Sequence, residues 1–438
     1  MNTHFLRGAL CPSPGARPSG RFNLANNLMK RLILALATLK RRKRRAPNAF
    51  DCNVGSLCPS PGARPSGRFN LANSLTKRLI LALATLKRRK RRAPNAFDCG
   101  GSVKLHPLLS VCRLLAALCF VAGGQLLAAA EMPVIRPGEL WPDNRGQHVE
   151  AHGGGILKLA DTYYWFGEDR SETNARGTRC VACYSSTNLA EWTFRNQVVH
   201  LTDPENLGRS WVLERPKVFY NAKTKKFVMY AHIDGLGQYR FASVAVFTCD
   251  TVDGQYQYLK SFRPLNHESR DIGQFVDDDG TAYLIFEDRP FGFRIAKLSD
   301  DYLTVEKEVC LIPKHMEGGA LVHYQGLYYV IGSALTGWSP NPNQYATAKS
   351  LAGPWSEFKD IAPPDKNTYG SQSTMMLKVT GTKTTTVIFM GDIWKPSLQS
   401  DSRYLWMPLQ IGDGKLWLPE PQPWSLDLKT GETIFKTP

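Results

Sequence analysis

The sequence predicts an all-β fold, a five-bladed β-propeller that spans residues 131–438. Three observations support this prediction. One unit occurs five times, and it consists of a polar start, a short apolar strand, a turn and an aromatic-rich strand. The units recur at a spacing that suits a four-stranded propeller blade. Many aromatic residues, glycines and prolines favour short strands and tight turns over helices.

The five units follow one another along the chain. They are HGGGILKLADTYYWFGED (152–169), ERPKVFYNAKTKKFVMYAH (214–232), RDIGQFVDDDGTAYLIFED (270–288), EGGALVHYQGLYYVIGSA (317–334) and SQSTMMLKVTGTKTTTVIFMGD (371–392). Each contains a turn-forming sequence, such as Asp-Asp-Asp-Gly or Thr-Gly-Thr. Their starts, with the third unit counted from Asp271, are 46 to 62 residues apart. A β-sandwich is the competing all-β architecture, but it does not explain this spacing.

Residues 1–102 form a basic leader that we expect to be disordered or mis-translated. Residues 57–99 repeat residues 10–52 with only two exchanges. Structural repeats diverge while keeping a hydrophobic pattern, so near-identity indicates a recent duplication instead. Each copy carries the apolar run RLILALATL before KRRKRR, and this run is too short to cross a bilayer. A basic amphipathic membrane helix is the alternative interpretation.

Residues 103–130 have the pattern of a secretory signal peptide. Basic residues come before an apolar stretch, and Ala128–Ala130 offers a small-residue cleavage site. We expect translation to begin near Val103 and the mature chain to begin near Glu131. A single-pass anchor is the alternative, but Gly123–Gln125 interrupts the apolar stretch. The expected location is therefore secreted or periplasmic, with no membrane insertion of the mature chain.

The charge distribution argues against a nucleic-acid partner. The whole chain has a net charge of +17, but the first hundred residues carry 21 of the 55 basic residues and only two acidic ones. The remaining chain holds 34 basic and 36 acidic residues, a net charge of −2. A nearly neutral propeller has no excess of cations for binding a phosphate backbone.

The sequence indicates neither a metal site nor a cofactor. Cys180 and Cys183 form a CxxC pair without a second pair or a histidine pair beside it. We expect them to be buried apolar residues, with one disulfide as an alternative that export would permit. The stretch Asp277–Gly280 resembles a calcium loop but lacks the remaining ligands, so we expect a hairpin turn.

Polar and acidic residues stand at or beside the start of every unit. They are Glu150, His152, Glu214, Asp271, Glu317 and Gln372. In a propeller the innermost strand of each blade lines the central channel, so these side chains are expected at one end of it. Cleavage of a glycosidic bond needs a protonated carboxylic acid and a base or nucleophile on the opposite face. Neighbouring carboxylates raise the pKa of one group, and Trp338 offers a ring face for a sugar.

Four sequence motifs that contain these residues together resemble glycoside hydrolase family 43, and most closely its exo-β-1,3-galactanase branch. They are SRDIGQFVDDDGTAYLIFED around Asp271, MEGGALVHYQGLYYVIGSALTGW around Glu317, ERPKV at 214–218 and SQS at 371–373. The resemblance covers about residues 135–412. It implies a five-bladed propeller, an inverting mechanism and release of galactose from the non-reducing ends of β-1,3-galactan, the backbone of arabinogalactan proteins.

The resemblance also implies roles for individual residues. Glu317 matches the general acid of the family, and Asp271 matches the residue that tunes the pKa of that acid and orients the substrate. Glu214 matches an active-site glutamate of the galactanase branch. Trp338 and Gln372 match positions that contact the sugar.

The general base is not assigned by these motifs. Most of the family has an Asp-Pro in the first blade, where this chain has Glu150-Ala151-His152. The counterpart of Gln372 has been considered a replacement, but a neutral amide is a poor base, so Glu150 and Glu214 remain candidates. His152 is expected to be either a sugar contact or a core histidine, and Tyr239 is expected to reach the pocket from a loop.

Other functions remain open at this point. An α-L-arabinofuranosidase or β-xylosidase would use the same fold and chemistry. A non-catalytic sugar-binding propeller is disfavoured because Glu317 and Asp271 are both present. A further hypothesis makes residues 1–100 a basic interaction arm. The sequence predicts no oligomeric state.

Overall fold

The structure is a computed structural model, and it describes residues 131–171, 180–200, 211–235 and 239–436. The predicted leader and signal peptide lie outside the described residues. Within the described part, the only helices are three short 3₁₀ segments, Pro264–Asn266, Pro364–Gly370 and Gln399–Asp401. None of the described helices is long and apolar enough to cross a membrane. The all-β prediction is confirmed.

Five antiparallel sheets follow one another along the chain, and in each the strands pair in sequence order. Blade 1 contains β1 (His152–Leu159), β2 (Thr162–Asp169), β3 (Cys180–Ser186) and β4 (Thr193–His200). Blade 2 contains β5 (Val212–Asn221), β6 (Lys226–Asp234), β7 (Ser243–Cys249) and β8 (Gln257–Phe262). Blade 3 contains β9 (Ile272–Val276), β10 (Ala282–Asp288), β11 (Gly292–Leu298) and β12 (Val305–Ile312).

The last two sheets and two hairpins complete the described strands. Blade 4 contains β13 (Glu317–Tyr324), β14 (Leu327–Ser333), β15 (Gln344–Ala348) and β16 (Lys359–Asp360). Blade 5 contains β17 (Gln372–Thr380), β18 (Thr385–Ile393) and β19 (Arg403–Pro408). The hairpins are β20 (Gln410–Gly412) with β21 (Lys415–Trp417), and β22 (Trp424–Leu426) with β23 (Thr433–Phe435).

The first strands of the five blades form a closed ring. Strand β1 contacts β5, β5 contacts β9, β9 contacts β13, β13 contacts β17, and β17 contacts β1. This order is the five-bladed propeller that the repeated unit predicted. The fifth sheet has three strands, and Gly138 N donates to Tyr404 O of β19 at 2.8 Å. The N-terminal segment therefore flanks the last blade.

Buried tryptophans join the first blade to the last. The ring centroid of Trp165 in β2 lies 4.6 Å from that of Trp406 in β19, and Trp141 of the N-terminal segment lies 5.0 Å from Trp406. Trp192, predicted to serve packing, is 2% exposed and meets Trp165 edge-on. Each such aromatic pair contributes about 0.5–1.5 kcal/mol beyond the area it buries. The cluster stabilises the closure of the ring.

A buried ammonium joins three of the inner strands. Lys217 Nζ of β5 donates to Gly153 O at 2.7 Å and Gly154 O at 2.5 Å in β1, and to Thr374 Oγ1 at 3.1 Å in β17. Its side chain is fully buried. Burial, together with the charge of Arg215, lowers the pKa of Lys217 to about 7.

Candidate active site

A cavity of about 360 Å³ opens at one end of the ring, and every blade contributes to its lining. This volume is within the range of small-molecule sites. The lining residues are Glu168, Arg170, Glu214, Arg215, His232, Tyr239, Arg270, Asp271, Glu287, Arg289, Glu317, Gly337, Trp338, Gln372 and Trp394. The structure thus brings together six of the eight residues singled out in the sequence: Glu214, Tyr239, Asp271, Glu317, Trp338 and Gln372.

A β-bulge at the start of four inner strands orients these side chains. The register shifts after His152, Glu214, Glu317 and Ser373. Such a bulge inserts a residue, bends the strand and redirects the neighbouring side chain. In β13 the bulge uses Gly318 at φ 65°, where an added Cβ would lie 2.6 Å from Ser373 O. Glycine at this position therefore permits the geometry that presents Glu317.

Glu317 is held in a form that keeps its proton. Gln372 Nε2 donates to its Oε1 at 2.9 Å, and Arg289 Nη2 lies 3.5 Å from its Oε2. Burial and the carboxylates of Asp271 and Glu287 raise the pKa of Glu317 to about 8, against the opposing charges of Arg215 and Arg289. Glu317 is therefore a protonated carboxylic acid at neutral pH, as a general acid must be.

Arg215 contacts two of the acidic residues, Glu168 and Asp271. Its backbone N donates to Glu168 Oε1 at 2.9 Å, and its Nη2 lies 2.9 Å from Asp271 Oδ2. Burial opposes the charge of Arg215, but the carboxylates around it, that of Asp271 foremost, raise its pKa. Asp271 Oδ2 also accepts from Gly318 N at 2.9 Å, which fixes the carboxylate beside the bulge that carries Glu317.

The amide of Gln372 has both of its ends occupied. Its Oε1 accepts from Arg215 Nη2 and from Trp394 Nε1 at 2.9 Å, while its Nε2 donates to Glu317 Oε1 and to Ser333 Oγ at 3.0 Å. Guanidinium and indole nitrogens can only donate, so the amide oxygen must face Arg215 and Trp394. The amide nitrogen then faces Glu317, which leaves the carboxyl proton of Glu317 on Oε2.

Glu214, in contrast to Glu317, is held in its ionised form. Tyr239 Oη donates to its Oε1 at 2.9 Å, Arg170 Nη2 lies 3.3 Å from Oε1, and His232 Nδ1 lies 3.4 Å from Oε2. Burial alone would raise the pKa of Glu214, but His232, Arg170 and Tyr239 outweigh burial and hold it well below the usual range. Of the four glutamates in the cavity lining, Glu214 is therefore held ionised and Glu317 is held protonated.

Trp338 and Tyr239 lie at the exposed part of the lining. Trp338 is 41% exposed and meets Trp394 edge-on, with 5.2 Å between ring centroids. Tyr239 is 37% exposed, and its hydroxyl is the donor to Glu214. Both rings are accessible to a sugar that enters the cavity.

Glu150 and His152 are not among the residues that line the cavity. The ring of His152 is fully buried, stacks on Tyr404 at 4.7 Å, and has its Nδ1 3.1 Å from Asp392 Oδ1. Its Nε2 lies 3.4 Å from Glu150 Oε2. Burial opposes the charge of His152, but Asp392 and Glu150 raise its pKa to about 9. Of the two interpretations of His152, the structure favours the core histidine over the sugar contact.

Several lining residues did not emerge from the sequence reasoning, although a signal for them exists. Antiparallel pairing places the end of each second strand beside the start of the first, as in the pairs His152 with Glu168 and Glu214 with His232. Four of the five second strands end in a polar residue, namely Asp169, Asp234, Asp288 and Ser333. Three further lining residues come directly after second strands: Arg170, Arg289 and Trp394.

The Asp277–Gly280 stretch is a hairpin turn between β9 and β10, as predicted, with Gly280 N donating to Asp277 O at 2.9 Å. Asp277 and Asp278 group with His323 in a geometry that could hold a metal ion. However, the ammonium of Lys378 lies 2.7 Å from Asp278 Oδ1. This ion pair balances the charge of Asp278.

The described cysteines form no disulfide with one another. Cys180 and Cys183 are both buried in β3, as expected for apolar residues. Burial raises the pKa of the Cys183 thiol, which keeps it protonated and unreactive.

The chain is similar to glycoside hydrolases that act on galactan. The family described as Glycosyl hydrolases family 43 matches residues 152–394. An exo-β-1,3-galactanase from Phanerochaete chrysosporium, solved with β-1,3-galactotriose, is 38% identical over 70% of this chain and 71% of that chain, with a TM-score of 0.66. An exo-β-1,3-galactanase from Clostridium thermocellum is 34% identical over 70% of this chain and 69% of that chain, with a TM-score of 0.65. No curated protein matches the chain.

Proposed function

Because the chain belongs to glycosyl hydrolase family 43, we propose that it is an exo-acting β-1,3-galactanase that releases galactose from the non-reducing ends of β-1,3-galactan. Two solved exo-β-1,3-galactanases are 38% and 34% identical to it over the aligned residues. The observation that carries the proposal is the raised pKa of Glu317 in a cavity that also holds the ionised Glu214.

In the proposed reaction Glu317 donates the proton on its Oε2 to the glycosidic oxygen while the bond from that oxygen to the anomeric carbon breaks. A water molecule attacks from the opposite face, and its oxygen bonds to the anomeric carbon. The proton of that water passes to a basic group, and galactose leaves with inverted configuration. Burial and the charge of Asp271 keep the pKa of Glu317 high, and Arg215 holds Asp271 in place.

Of the three candidate bases that the sequence offered for the attacking water, Glu214 and Gln372 line the cavity and Glu150 does not. Glu214 is ionised, but its low pKa makes it a weak base. Gln372 Oε1 already accepts two hydrogen bonds, which favours a positioning role for this amide. Azide rescue of E214A and Q372A separates them, since azide can replace the base-activated water. Formation of α-galactosyl azide by one variant alone identifies the base.

Digestion of linear β-1,3-galactan, arabinan and xylan oligosaccharides, followed by ion-exchange chromatography, tests the substrate. We expect galactose from the galactan and no sugar from the other two polymers, with E317Q as the inactive control. Release of arabinose or xylose without galactose would instead identify the enzyme as an α-L-arabinofuranosidase or a β-xylosidase. Sugar binding without any hydrolysis by the wild type would indicate a non-catalytic propeller.

We also propose that the enzyme is exported and that its mature chain begins near Glu131. The apolar stretch and the small residues at Ala128–Ala130 support this. Sequencing the N-terminus of protein isolated from its natural host tests it. A natural N-terminus within residues 1–102 would contradict this proposal and support the hypothesis that residues 1–100 form a basic interaction arm.

A further inference from the structure

A second ion pair, formed by Glu287 and Arg289, contacts the proposed proton donor. Glu287 lies near the end of β10, and Arg289 follows directly after that strand. Arg289 Nε contacts Glu287 Oε1, and Arg289 Nη2 lies 3.5 Å from Glu317 Oε2, the oxygen assigned the proton. The Glu287 side chain is 2% exposed, so it is a fixed anchor for the arginine.

We propose that Glu287 and Arg289 are positioning residues for the general acid, in which Glu287 holds the Arg289 guanidinium against Glu317 Oε2. This inference rests on the proposed function. Glu287 is itself held by Asp271, the residue directly before β9. The backbone N of Glu287 donates to Asp271 O at 2.9 Å, and its Oε2 accepts from Asp271 N at 3.4 Å.

The two members of the pair act at different moments of the reaction. Burial and the charge of Asp271 raise the pKa of Glu287 to about 7, so above that pH its carboxylate is ionised, disfavours a second negative charge and, before proton transfer, helps to keep Glu317 protonated. As the proton leaves Oε2, a carboxylate develops on Glu317, and Arg289 is the guanidinium that lies beside that oxygen. The pair therefore opposes early ionisation and stabilises the charge that forms in the transition state.

Other charged and polar groups also face Glu317, and they stay in place when Glu287 or Arg289 is replaced. Asp271 faces it from the residue before β9, Arg215 from β5, and the Gln372 amide from β17. Asp271 is already compensated by Arg215 at 2.9 Å. Removal of Glu287 or of Arg289 then leaves a charge of known sign unbalanced beside Glu317.

The test compares pH profiles of kcat/KM for E287Q and R289M in the full chain, with β-1,3-galactobiose as substrate, because its leaving group needs the proton of Glu317. E287Q removes a negative charge, so the alkaline limb is expected to move to lower pH by roughly one pH unit. R289M removes a positive charge, so the limb is expected to move to higher pH. E306Q, in the exposed pair of Glu306 with Lys297 on the same blade, is the matched control and should leave the limb unchanged.

A second measurement separates positioning from simple structural support. R289M should lose roughly tenfold more kcat on β-1,3-galactobiose, which needs protonation of its leaving group, than on 2,4-dinitrophenyl β-galactoside, which does not. R289K should restore part of this difference. Equal losses on both substrates, or limbs that move in the same direction in E287Q and R289M, would overturn the inference. If the wild type hydrolyses no galactoside at all, the proposed function fails instead.

Discussion

Replacement of Glu317 by glutamine tests the assignment of the proton donor in the most detail. Gln has the same length, and its amide oxygen can still accept the hydrogen bond that Gln372 Nε2 now donates at 2.9 Å. The substitution therefore removes the transferable proton and leaves most of the framework in place. General acid catalysis contributes about 10²- to 10⁴-fold, so we expect kcat on β-1,3-galactobiose to fall by that factor, or about 3–5 kcal/mol of barrier.

The pH dependence gives a second magnitude for the same variant. With a pKa of about 8, Glu317 is protonated in roughly nine-tenths of molecules at pH 7 and in roughly one-tenth at pH 9. The wild-type kcat/KM on galactobiose should therefore fall about tenfold between pH 7 and pH 9. Glu317→Gln should lose this limb, and should lose less than about tenfold on 2,4-dinitrophenyl β-galactoside, whose leaving group needs no proton.

The assay is initial-rate kinetics on both substrates from pH 5 to 9.5, with circular dichroism as the control for folding. Equal losses on the two substrates would refute the assignment of Glu317 as acid. So would an alkaline limb that survives in the glutamine variant.

Three further predictions concern residues around the acid. D271N removes a carboxylate that raises the pKa of Glu317, so the alkaline limb of kcat/KM should move to lower pH; an unmoved limb in a folded variant contradicts this. W338A should raise KM for β-1,3-galactan several-fold with a smaller change in kcat, whereas W417A, at an equally exposed tryptophan outside the cavity lining, should change neither. K217M removes the buried donor to Gly153 O and Gly154 O, of which Gly154 O keeps the hydrogen bond from Thr374 Oγ1, and it should lower the free energy of unfolding in urea by on the order of 3 kcal/mol, with an unchanged midpoint as the contradicting result.

The fold could be predicted from the sequence because the same sequence pattern recurs in every blade of the propeller. Each unit carries an apolar strand, a turn and an aromatic strand, and the spacing of the units alone distinguishes a propeller from a sandwich. The three-stranded fifth sheet was not predictable in this way. Its outer neighbour is the segment around Gly138, which lies far from β19 in sequence and carries no repeat.

The repeated unit located site residues only along the first strand of each blade, whereas Tyr239 and Trp338, which also line the cavity, lie on loops and were predicted from loop position and from the family resemblance. Glu214, Glu317 and Gln372 stand at strand starts, where a bulge redirects them, and so the repeat located them. Glu287 and Arg289 belong to the end of a second strand, and only the antiparallel register brings them to Glu317.

His152 shows the limit of strand position as a guide. It starts its strand as the other candidates do, yet its ring is buried between Asp392 and Tyr404. The sequence cannot reveal this, because both partners come from the fifth blade, more than two hundred residues away.

The central claim, exo attack on β-1,3-galactan from the non-reducing end, is tested most directly with β-1,3-galactotriose labelled at its reducing end. The account predicts that the wild type first yields unlabelled galactose and labelled galactobiose, and that E317Q yields neither. Labelled galactose as the first monosaccharide, or no cleavage by the wild type, would contradict it.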